Sequence, residues 1–314
     1  MRVSASGGQV VIQHGEHRAT VVEVGGGLRS YTVGGEDIID GYDEAEMCPS
    51  GRGQALLPWP NRIADGRYEF GGNQEQLPLT EPSRANAIHG LTRFASWAVK
   101  EAGVDGVTMT HRLYPQPGYP YLLDLGIDYR LDGSGLTVTM TAVNVGDAPC
   151  PFGAGAHPYL RVGSGGIDDL VLRCPAATWF EADERGIPRA RRDVEGTAVD
   201  FRSPRAIGAT LFDTAFTDLA RGDDGRALVV LAAPDGSRRV VVWCGPEFTD
   251  LMLYSGDTLG QVDRRRRSLA IEPMTCPPNA FQSGEGVITL TPGAAFRGSW
   301  GIAPQETGVS SRWG

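Results

Sequence analysis

The sequence predicts an all-β protein built as one large antiparallel β-sandwich. Alternating apolar and polar residues recur along the chain, and helical periodicity is hard to find. The 43 glycines and 21 prolines are spread over all 314 residues, which interrupts helices and separates many short strands. No linker or fixed-period repeat divides the chain, so we expect a single domain over residues 1–314 with a loose tail from about residue 304.

Two hairpins carry the strongest strand signal. Apolar residues alternate with polar ones from Leu123 to Ala142 on both sides of the turn sequence "DGSG", a period of two that puts one face on a core. Residues 227–244 repeat the pattern around Pro234-Asp235-Gly236, where proline and glycine favour a turn. Shorter strands are predicted at residues 9–13, 19–24, 107–113, 251–256 and 286–292.

Charge and cysteine content narrow the functional class. The 29 basic and 38 acidic residues give a net charge of −9, which disfavours nucleic acid and anionic membranes as partners and favours a small molecule. No apolar run resembles a membrane span or a secretory signal, so we expect a cytoplasmic protein. Five single cysteines without a C-x-x-C pair indicate reduced, packed thiols, although a catalytic cysteine remains an alternative. No pattern indicates an oligomeric state.

Three segments place polar side chains where chemistry is plausible. Asn61-Arg62 follows the rigid run Pro58–Pro60, and the arginine offers a fork of donors to hydroxyls or anions. A salt bridge at the start of a strand is the simpler alternative for that arginine. His89 precedes Gly90, and His157 precedes Pro158; taken alone, each histidine is more typical of a structural residue.

Glu272 is the best candidate for a general base. It ends an apolar run directly before Pro273, and a carboxylate there must find partners or have its pKa raised by burial. His157 lies in "GAGAHPYL", where the small residues predict a close approach of the backbone to a ligand. Pro158 limits the freedom of that histidine, so its imidazole is expected to point in one direction.

Taken in order, these segments resemble the aldose 1-epimerase (galactose mutarotase) superfamily, in a broader branch of bacterial type. The resemblance covers most of the chain and implies the supersandwich fold of galactose mutarotase-like proteins. Thr214 and Leu91 depart from the best-known galactose enzymes. The matching motifs are Asn61-Arg62 with Gly66, His89-Gly90 with Trp97, His157-Pro158-Tyr159, Asp213 with Phe216, and Glu272-Pro273 with Pro278 and Ala280.

The resemblance implies interconversion of the α and β anomers of a hexose such as glucose or galactose. Glu272 would act as base on the C1 hydroxyl and His157 as acid on the ring oxygen. At ordinary pKa values of about 4.3 and 6.5, the glutamate would be ionised and much of the imidazole protonated near neutrality. No metal, nucleotide or redox cofactor is expected. The implied sugar-binding residues are Arg62, His89, Asn61 and Asp213, with Asp218 as the rival aspartate and Tyr159 or Trp59 facing an apolar side of the sugar.

Two other functions remain open at this point. One is epimerisation of a hexose 6-phosphate, for which Arg264–Arg267, Arg84 and Arg93 could supply cations at the rim, although such a basic run is more often a solvated loop. The other is a sugar-binding β-sandwich without catalysis. The pattern of residues also does not separate a hexose from a deoxy or sulfated sugar.

Overall fold

The computed structural model describes residues 4–306 and confirms the all-β class. Within this range the helical elements are short: α1 (Ala280–Ser283) and two 3₁₀ turns at Pro82–Arg84 and Val262–Arg264. No helix in the described part of the chain is long and apolar enough to cross a membrane.

The strands follow one another in chain order. The first nine are β1 (Gln9–His14), β2 (His17–Val22), β3 (Leu28–Val33), β4 (Glu36–Asp37), β5 (Ala55–Leu56), β6 (Arg62–Ala64), β7 (Arg67–Phe70), β8 (Asn73–Gln76) and β9 (Asn86–Ile88). The next nine are β10 (Ala98–Ala102), β11 (Gly106–Leu113), β12 (Leu123–Asp132), β13 (Gly135–Asn144), β14 (Cys150–Phe152), β15 (Gly155–Ala156), β16 (Tyr159–Leu160), β17 (Val171–Arg173) and β18 (Ala176–Ala182). The last nine are β19 (Pro188–Asp193), β20 (Arg205–Ala206), β21 (Asp213–Leu219), β22 (Ala227–Ala232), β23 (Arg238–Cys244), β24 (Asp250–Tyr254), β25 (Leu269–Met274), β26 (Ile288–Leu290) and β27 (Ala295–Glu306).

Two large antiparallel sheets form the sandwich. The nine-stranded sheet has the order β10-β11-β12-β13-β27-β23-β22-β17-β20. The eight-stranded sheet has the order β19-β18-β21-β24-β25-β15-β5, with β16 also paired to β25. A single buried apolar cluster contains side chains of both sheets, such as Ile127 and Leu253, so the sheets pack face to face. A smaller four-stranded sheet has the order β1-β2-β3-β4. Three two-stranded sheets pair β6 with β9, β7 with β8, and β14 with β26.

The predicted hairpins are confirmed. Strands β12 and β13 pair antiparallel from Leu123 opposite Asn144 to Asp132 opposite Gly135. Along β12 the apolar residues are buried and alternate with more exposed ones, as a period of two requires. Strands β22 and β23 form the second hairpin. The five shorter predictions coincide with β1, β2, β11, β24 and β26.

The end of the described chain differs from the predicted tail. Strand β27 continues to Glu306 and pairs with β23, so residues 304–306 belong to the nine-stranded sheet. The rest of the predicted tail lies outside the described residues.

Candidate active site

A cavity of about 500 Å³ opens over the eight-stranded sheet. Its wall is built from separate elements, because the side chains come from β6, β21, β25 and the loops that follow β9 and β15. All seven residues predicted from the sequence lie on this wall: Asn61, Arg62, His89, His157, Tyr159, Asp213 and Glu272.

The register of the central strands brings His157 and Glu272 together. Gly155 of β15 pairs with Met274 of β25, and Tyr159 of β16 pairs with Ala270. His157 lies midway between these pairs and therefore faces Glu272, with 3.4 Å between its Nε2 and Oε1 of the carboxyl. Both residues are largely buried, at 5% and 2% exposure, although they line the cavity.

The small residues before His157 allow close packing within the protein and not the predicted close approach of a ligand. A Cβ added at Gly155 would lie 2.8 Å from Cβ of Pro60 and 3.0 Å from the carbonyl oxygen of Pro273. The side chain of Pro60 and the carbonyl group of Pro273 therefore fill the space in which a ligand was predicted. The prediction of a close ligand approach here is wrong: glycine is required so that β15 can pack between β25 and the Pro60 segment.

His89 is held by a reciprocal pair of backbone contacts with Asn61. The His89 N–H donates to the Asn61 carbonyl oxygen at 2.9 Å, and the Asn61 N–H lies 3.2 Å from His89 Nδ1. Because Nδ1 accepts this bond, the ring proton of neutral His89 lies on Nε2, where it can donate to a ligand. Gly90 is required at a φ of +71°, since a Cβ would lie 2.0 Å from the Leu57 carbonyl oxygen. The His-Gly motif is therefore a backbone constraint that aims the imidazole.

Arg62 combines the structural role and the site role that its sequence context suggested. Its Nε and Nη2 donate to the two carboxylate oxygens of Glu81 at 2.9 and 3.1 Å, a bidentate pair at the start of β6. Its Nη1 lies 3.6 Å from Oδ1 of Asp213 across the cavity wall. Glu81 was not predicted, because a single glutamate before Pro82 carries no distinguishing pattern.

The structure places Asp213, rather than Asp218, in the cavity. Asp213 begins β21, and its Oδ2 lies 3.3 Å from Nη1 of Arg84, another residue of the wall. Asp218 stands five positions further along the same strand, is exposed, and is not among the described residues that line the cavity. Asp218 also has a φ of +55°, so the backbone of β21 is not extended at that position.

Tyr159 lies against His157, whereas Trp59 is part of the core. The Tyr159 ring is 4.9 Å from the His157 ring with 16° between their planes, so it supports the imidazole face. Trp59 is 2% exposed and packs 5.7 Å from the ring of Phe281. The expectation that Trp59 faces the sugar is wrong, because the buried proline-rich segment turns its indole inward.

Comparison with known proteins identifies the family. The family model for Aldose 1-epimerase matches residues 8–302, which is nearly the whole chain. The chain belongs to the aldose 1-epimerase family. Its relatives include the uncharacterized protein YihR of Escherichia coli strain K12, which is 34% identical over 93% of this chain and 92% of that protein. The galactose mutarotase of Mus musculus is 32% identical over 49% of this chain and 46% of that protein.

Solved structures of similar fold agree with this membership. A GalM/aldose epimerase homologue from C. elegans superposes with a TM-score of 0.84 at 19% identity, covering 95% of this chain and 99% of that one. Galactose 1-epimerase from Lactobacillus acidophilus NCFM gives a TM-score of 0.80 at 24% identity, covering 95% and 94%. These likenesses establish the fold of this aldose 1-epimerase family member.

Burial shifts the pKa values of Glu272 and His157 in opposite directions. Desolvation raises the pKa of Glu272 well above its ordinary value, and the nearby negative charge of Asp213 raises it further. Desolvation also lowers the pKa of His157 to about 3, with additional lowering from the positive charges of Arg93 and Arg52. Burial thus disfavours both the ionised carboxylate and the protonated imidazole, so the ordinary pKa values do not apply to this pair.

The same cluster has the donor set of a metal site but an unsuitable electrostatic environment. Ligand atoms of His89, His157 and Glu272 all lie within 4.8 Å of one another. Two imidazoles and a carboxylate are ligands that many divalent metals accept. The positive charges of Arg62 and Arg93, which lower the pKa of both histidines, would also repel a dication. The arrangement thus favours oxygen atoms of a neutral or anionic ligand.

The arginine run 264–267 does not supply the rim. Arg266 pairs with Asp168 and Asp257, and Arg267 pairs with Asp40. Arg264 also lies near Asp40, and Arg265 donates to the Leu259 carbonyl oxygen. None of the four is among the described residues of the cavity wall, so the alternative that this run supplies a cationic rim is not supported, whereas Arg84 and Arg93 do line the cavity.

The cysteines have no place in this site. All five are buried and free, as the sequence predicted, and none is among the described residues of the cavity wall. Burial raises the pKa of the Cys276 thiol to about 12, so its thiolate is unavailable near neutrality. The alternative of a catalytic cysteine therefore loses its chemical basis.

Proposed function

We propose that this protein is an aldose 1-epimerase that interconverts the α and β anomers of an aldohexose such as glucose or galactose. The observation that carries the proposal is the buried contact of 3.4 Å between His157 and Glu272 on the cavity wall. Such a pair can take a proton from one sugar oxygen and give one to another. Partial similarity to mouse galactose mutarotase supports a hexose as substrate.

Ring opening requires one proton to leave and one to arrive. Glu272 takes the proton of the C1 hydroxyl as the C1 carbonyl forms, and His157 protonates the ring oxygen as its bond to C1 breaks. The open chain rotates about the C1–C2 bond. The C5 hydroxyl then attacks the other face of C1 and returns its proton to His157, while Glu272 returns its proton to the C1 oxygen.

The sugar must move the proton of the Glu272–His157 pair before the first step. Before the sugar binds, Glu272 holds this proton in the proposed mechanism, because burial disfavours both charges. Hydrogen bonds from sugar hydroxyls to the carboxylate stabilise its ionised form, and the positive charge of Arg62 acts in the same direction. The proton then passes over 3.4 Å to His157, which becomes the acid.

Other residues of the wall orient the sugar and stabilise developing charge. The Nε2–H of neutral His89 can donate to the ring oxygen or to a hydroxyl, because its Nδ1 is already used by Asn61. Arg62 keeps one guanidinium nitrogen on the cavity side of its pair with Glu81. Asp213, which is the more exposed acid of the cluster, can accept from a hydroxyl.

Polarimetry on freshly dissolved α-glucose or α-galactose tests the proposal. We expect Glu272→Gln and His157→Ala each to lower kcat by about 10²-fold or more, the lower end of what a positioned proton transfer contributes. Asp218→Asn is the matched control, since it also exchanges a carboxylate for an amide but lies outside the described cavity wall.

The result that contradicts the proposal is equally specific. Near-full rates in both folded variants would show that the pair is not the acid and base. Saturable sugar binding by the wild type without faster mutarotation would instead indicate a sugar-binding protein without catalysis.

One observation favours a second candidate, a hexose 6-phosphate 1-epimerase. Arg93 lines the cavity, and its guanidinium makes one hydrogen bond within residues 4–306, from Nη2 to the Ile88 carbonyl oxygen at 3.3 Å. Among the described residues no carboxylate lies within 4.0 Å of it, in contrast to Arg62 and Arg84. An unpaired guanidinium at a sugar site is suited to a phosphate or another anionic substituent.

Arg93→Met separates the two candidates. If the substrate is anionic, the variant should raise KM for glucose 6-phosphate roughly tenfold or more, because a charge-assisted hydrogen bond is lost. KM for free glucose should then change little. Arg130→Met, on the exposed face of β12, is the control. A wild-type preference for free glucose, with equal effects of Arg93→Met on both sugars, would eliminate the phosphorylated substrate.

A further inference from the structure

Arg52 lies behind the central pair and has no part in the mechanism above. Its side chain is 2% exposed, and it is not among the described residues of the cavity wall. Its Cζ lies 4.0 Å from the centroid of the Tyr159 ring, and Tyr159 in turn stacks on His157. Through this aromatic ring, Arg52 is connected to the imidazole.

The contacts of Arg52 are poor for a purely structural residue. Its three guanidinium nitrogens are buried, and within the described part of the chain none makes a hydrogen bond. The nearest carboxylate is that of Asp40, 3.3 Å from Nη1. A buried guanidinium with unmade hydrogen bonds lowers stability rather than raising it. Its presence calls for another explanation.

The charge of Arg52 is also incompletely balanced. Asp40 is shared with Arg267 at 3.3 Å and with Arg264 at 3.9 Å. Arg264 also lies 3.5 Å from Oε2 of Glu46, so two carboxylates face the three guanidinium groups. One positive charge therefore remains unbalanced in this cluster beside Tyr159.

We propose that Arg52 is a positioning residue for His157, because it holds Tyr159 against the imidazole and places an uncompensated positive charge near it. The inference rests on the proposed function, in which His157 protonates the ring oxygen. A positive charge near the ring disfavours the imidazolium, so the protonated ring gives up its proton more readily. After burial and the charge of Arg93, the charge of Arg52 is the next cause that lowers the pKa of His157.

Arg52 acts together with the other ionisable groups around the imidazole. Glu272 and His89 face it directly, and Arg62 and Arg93 act on it from the cavity wall. Removal of Arg52 therefore takes away one of three positive charges, and the expected change is partial.

The experiment is the pH dependence of kcat and KM for the wild type, Arg52→Met and Arg52→Lys. Removing a positive charge raises the pKa of both members of the pair, so both limbs of the kcat profile of Arg52→Met should move to higher pH by roughly half a unit or more. Arg52→Lys retains the charge, and its limbs should stay at the wild-type pH even if kcat falls. KM should change little in either variant, since Arg52 does not contact the sugar.

A lower kcat in Arg52→Met with unmoved limbs would overturn the proposal. If Arg52→Met fails to fold, Asp40→Asn tests the opposite sign: with less balancing negative charge, the limbs should move to lower pH, and unmoved limbs would again overturn it. NMR titration of labelled His157 and Glu272 without sugar measures the same shifts. This titration therefore tests the role of Arg52 even if the wild type shows no mutarotase activity. A lack of activity would count against the proposed function alone, and unmoved pKa values in the titration would count against the role of Arg52.

Discussion

The two large sheets differ in role: the nine-stranded sheet mainly stabilises the fold, and the eight-stranded sheet carries the candidate active site. The nine-stranded sheet is built on long strands, such as the ten-residue β12 and β13, whose buried residues are largely apolar. The eight-stranded sheet contains two-residue strands, β5, β15 and β16, around β25, where Glu272 is buried among apolar neighbours. Regular alternation thus marks the region that stabilises the fold, and its interruption marks the region of the candidate chemistry.

Among residues 4–306, some buried polar atoms have a partner and others do not; the unsatisfied ones include Trp300 Nε1 of the nine-stranded sheet as well as atoms of the His157–Glu272 pair. Tyr129 of the nine-stranded sheet is buried, and its hydroxyl donates to the Gly26 carbonyl oxygen at 2.7 Å. In the other sheet, Nδ1 of His157 and Oε2 of Glu272 are buried without a partner in the described part of the chain. Each unsatisfied group costs about 1–3 kcal/mol of stability. For the pair on the cavity wall, the cost is consistent with atoms reserved for a ligand.

The largest stability effect is expected in the nine-stranded sheet. Ile127 is fully buried in the core cluster, so Ile127→Ala should lower the free energy of unfolding by about 2–5 kcal/mol. Urea unfolding measures this change. Thr137→Ala, on the more exposed face of the neighbouring strand, should stay within about 0.5 kcal/mol.

If the two sheets have separate roles, Ile127→Ala should leave the catalytic activity unchanged. The folded Ile127→Ala protein should retain the wild-type kcat in polarimetry, because Ile127 does not line the cavity. A large loss of kcat at full folding would show that the two sheets do not divide their roles as described.

In the eight-stranded sheet we expect a smaller change, and it concerns how the free energy of unfolding depends on pH. The pKa of His157 is about 3 in the folded protein and about 6.5 when unfolded, so acid favours the unfolded chain between these values. His157→Gln should therefore reduce the loss of unfolding free energy between pH 7 and pH 5 by about 2 kcal/mol. Urea unfolding at both pH values provides the measurement.

Glu272→Gln supplies the opposite sign as a control. The raised pKa of Glu272 means that the folded protein holds this proton more tightly than the unfolded chain does. The associated stability is present at low pH and is lost as pH rises through the folded pKa, so its removal should steepen the loss in acid. Equal pH dependence in both variants and the wild type would show that neither group is shifted by burial.

Local patterns predicted the strands well and the surroundings of the site only in part. The β12–β13 hairpin could be predicted because alternation and a glycine turn act between neighbours in the chain. Glu272 could be suspected because a carboxylate in an apolar strand is costly. Glu81 and Arg52 could not be found, since their partners, Arg62 and Tyr159, are distant in sequence and no local pattern marks the contact.

Two interpretations that the structure does not support share one cause. The run Arg264–Arg267 had the composition of a cationic rim as an alternative to a solvated loop, but Asp40 and Asp168 come from distant parts of the chain and pair with its guanidinium groups. The glycines before His157 suggested an open approach, but β25 and the Pro60 segment occupy that space. In both cases a neighbour that is distant in sequence decided the role.

The sequence by itself determined the all-β class and the main hairpins, and through its ordered motifs it indicated seven of the residues on the cavity wall, because strand period, turn chemistry and motifs are local properties. Tertiary structure alone decided which arginines are paired, that Asp213 rather than Asp218 lines the cavity, and in which direction the pKa values of the central pair are shifted. Strand register places His157 opposite Glu272, and burial from both sheets then shifts their pKa values in opposite directions. Desolvation depends on everything that surrounds a group, and no local stretch of sequence contains that information.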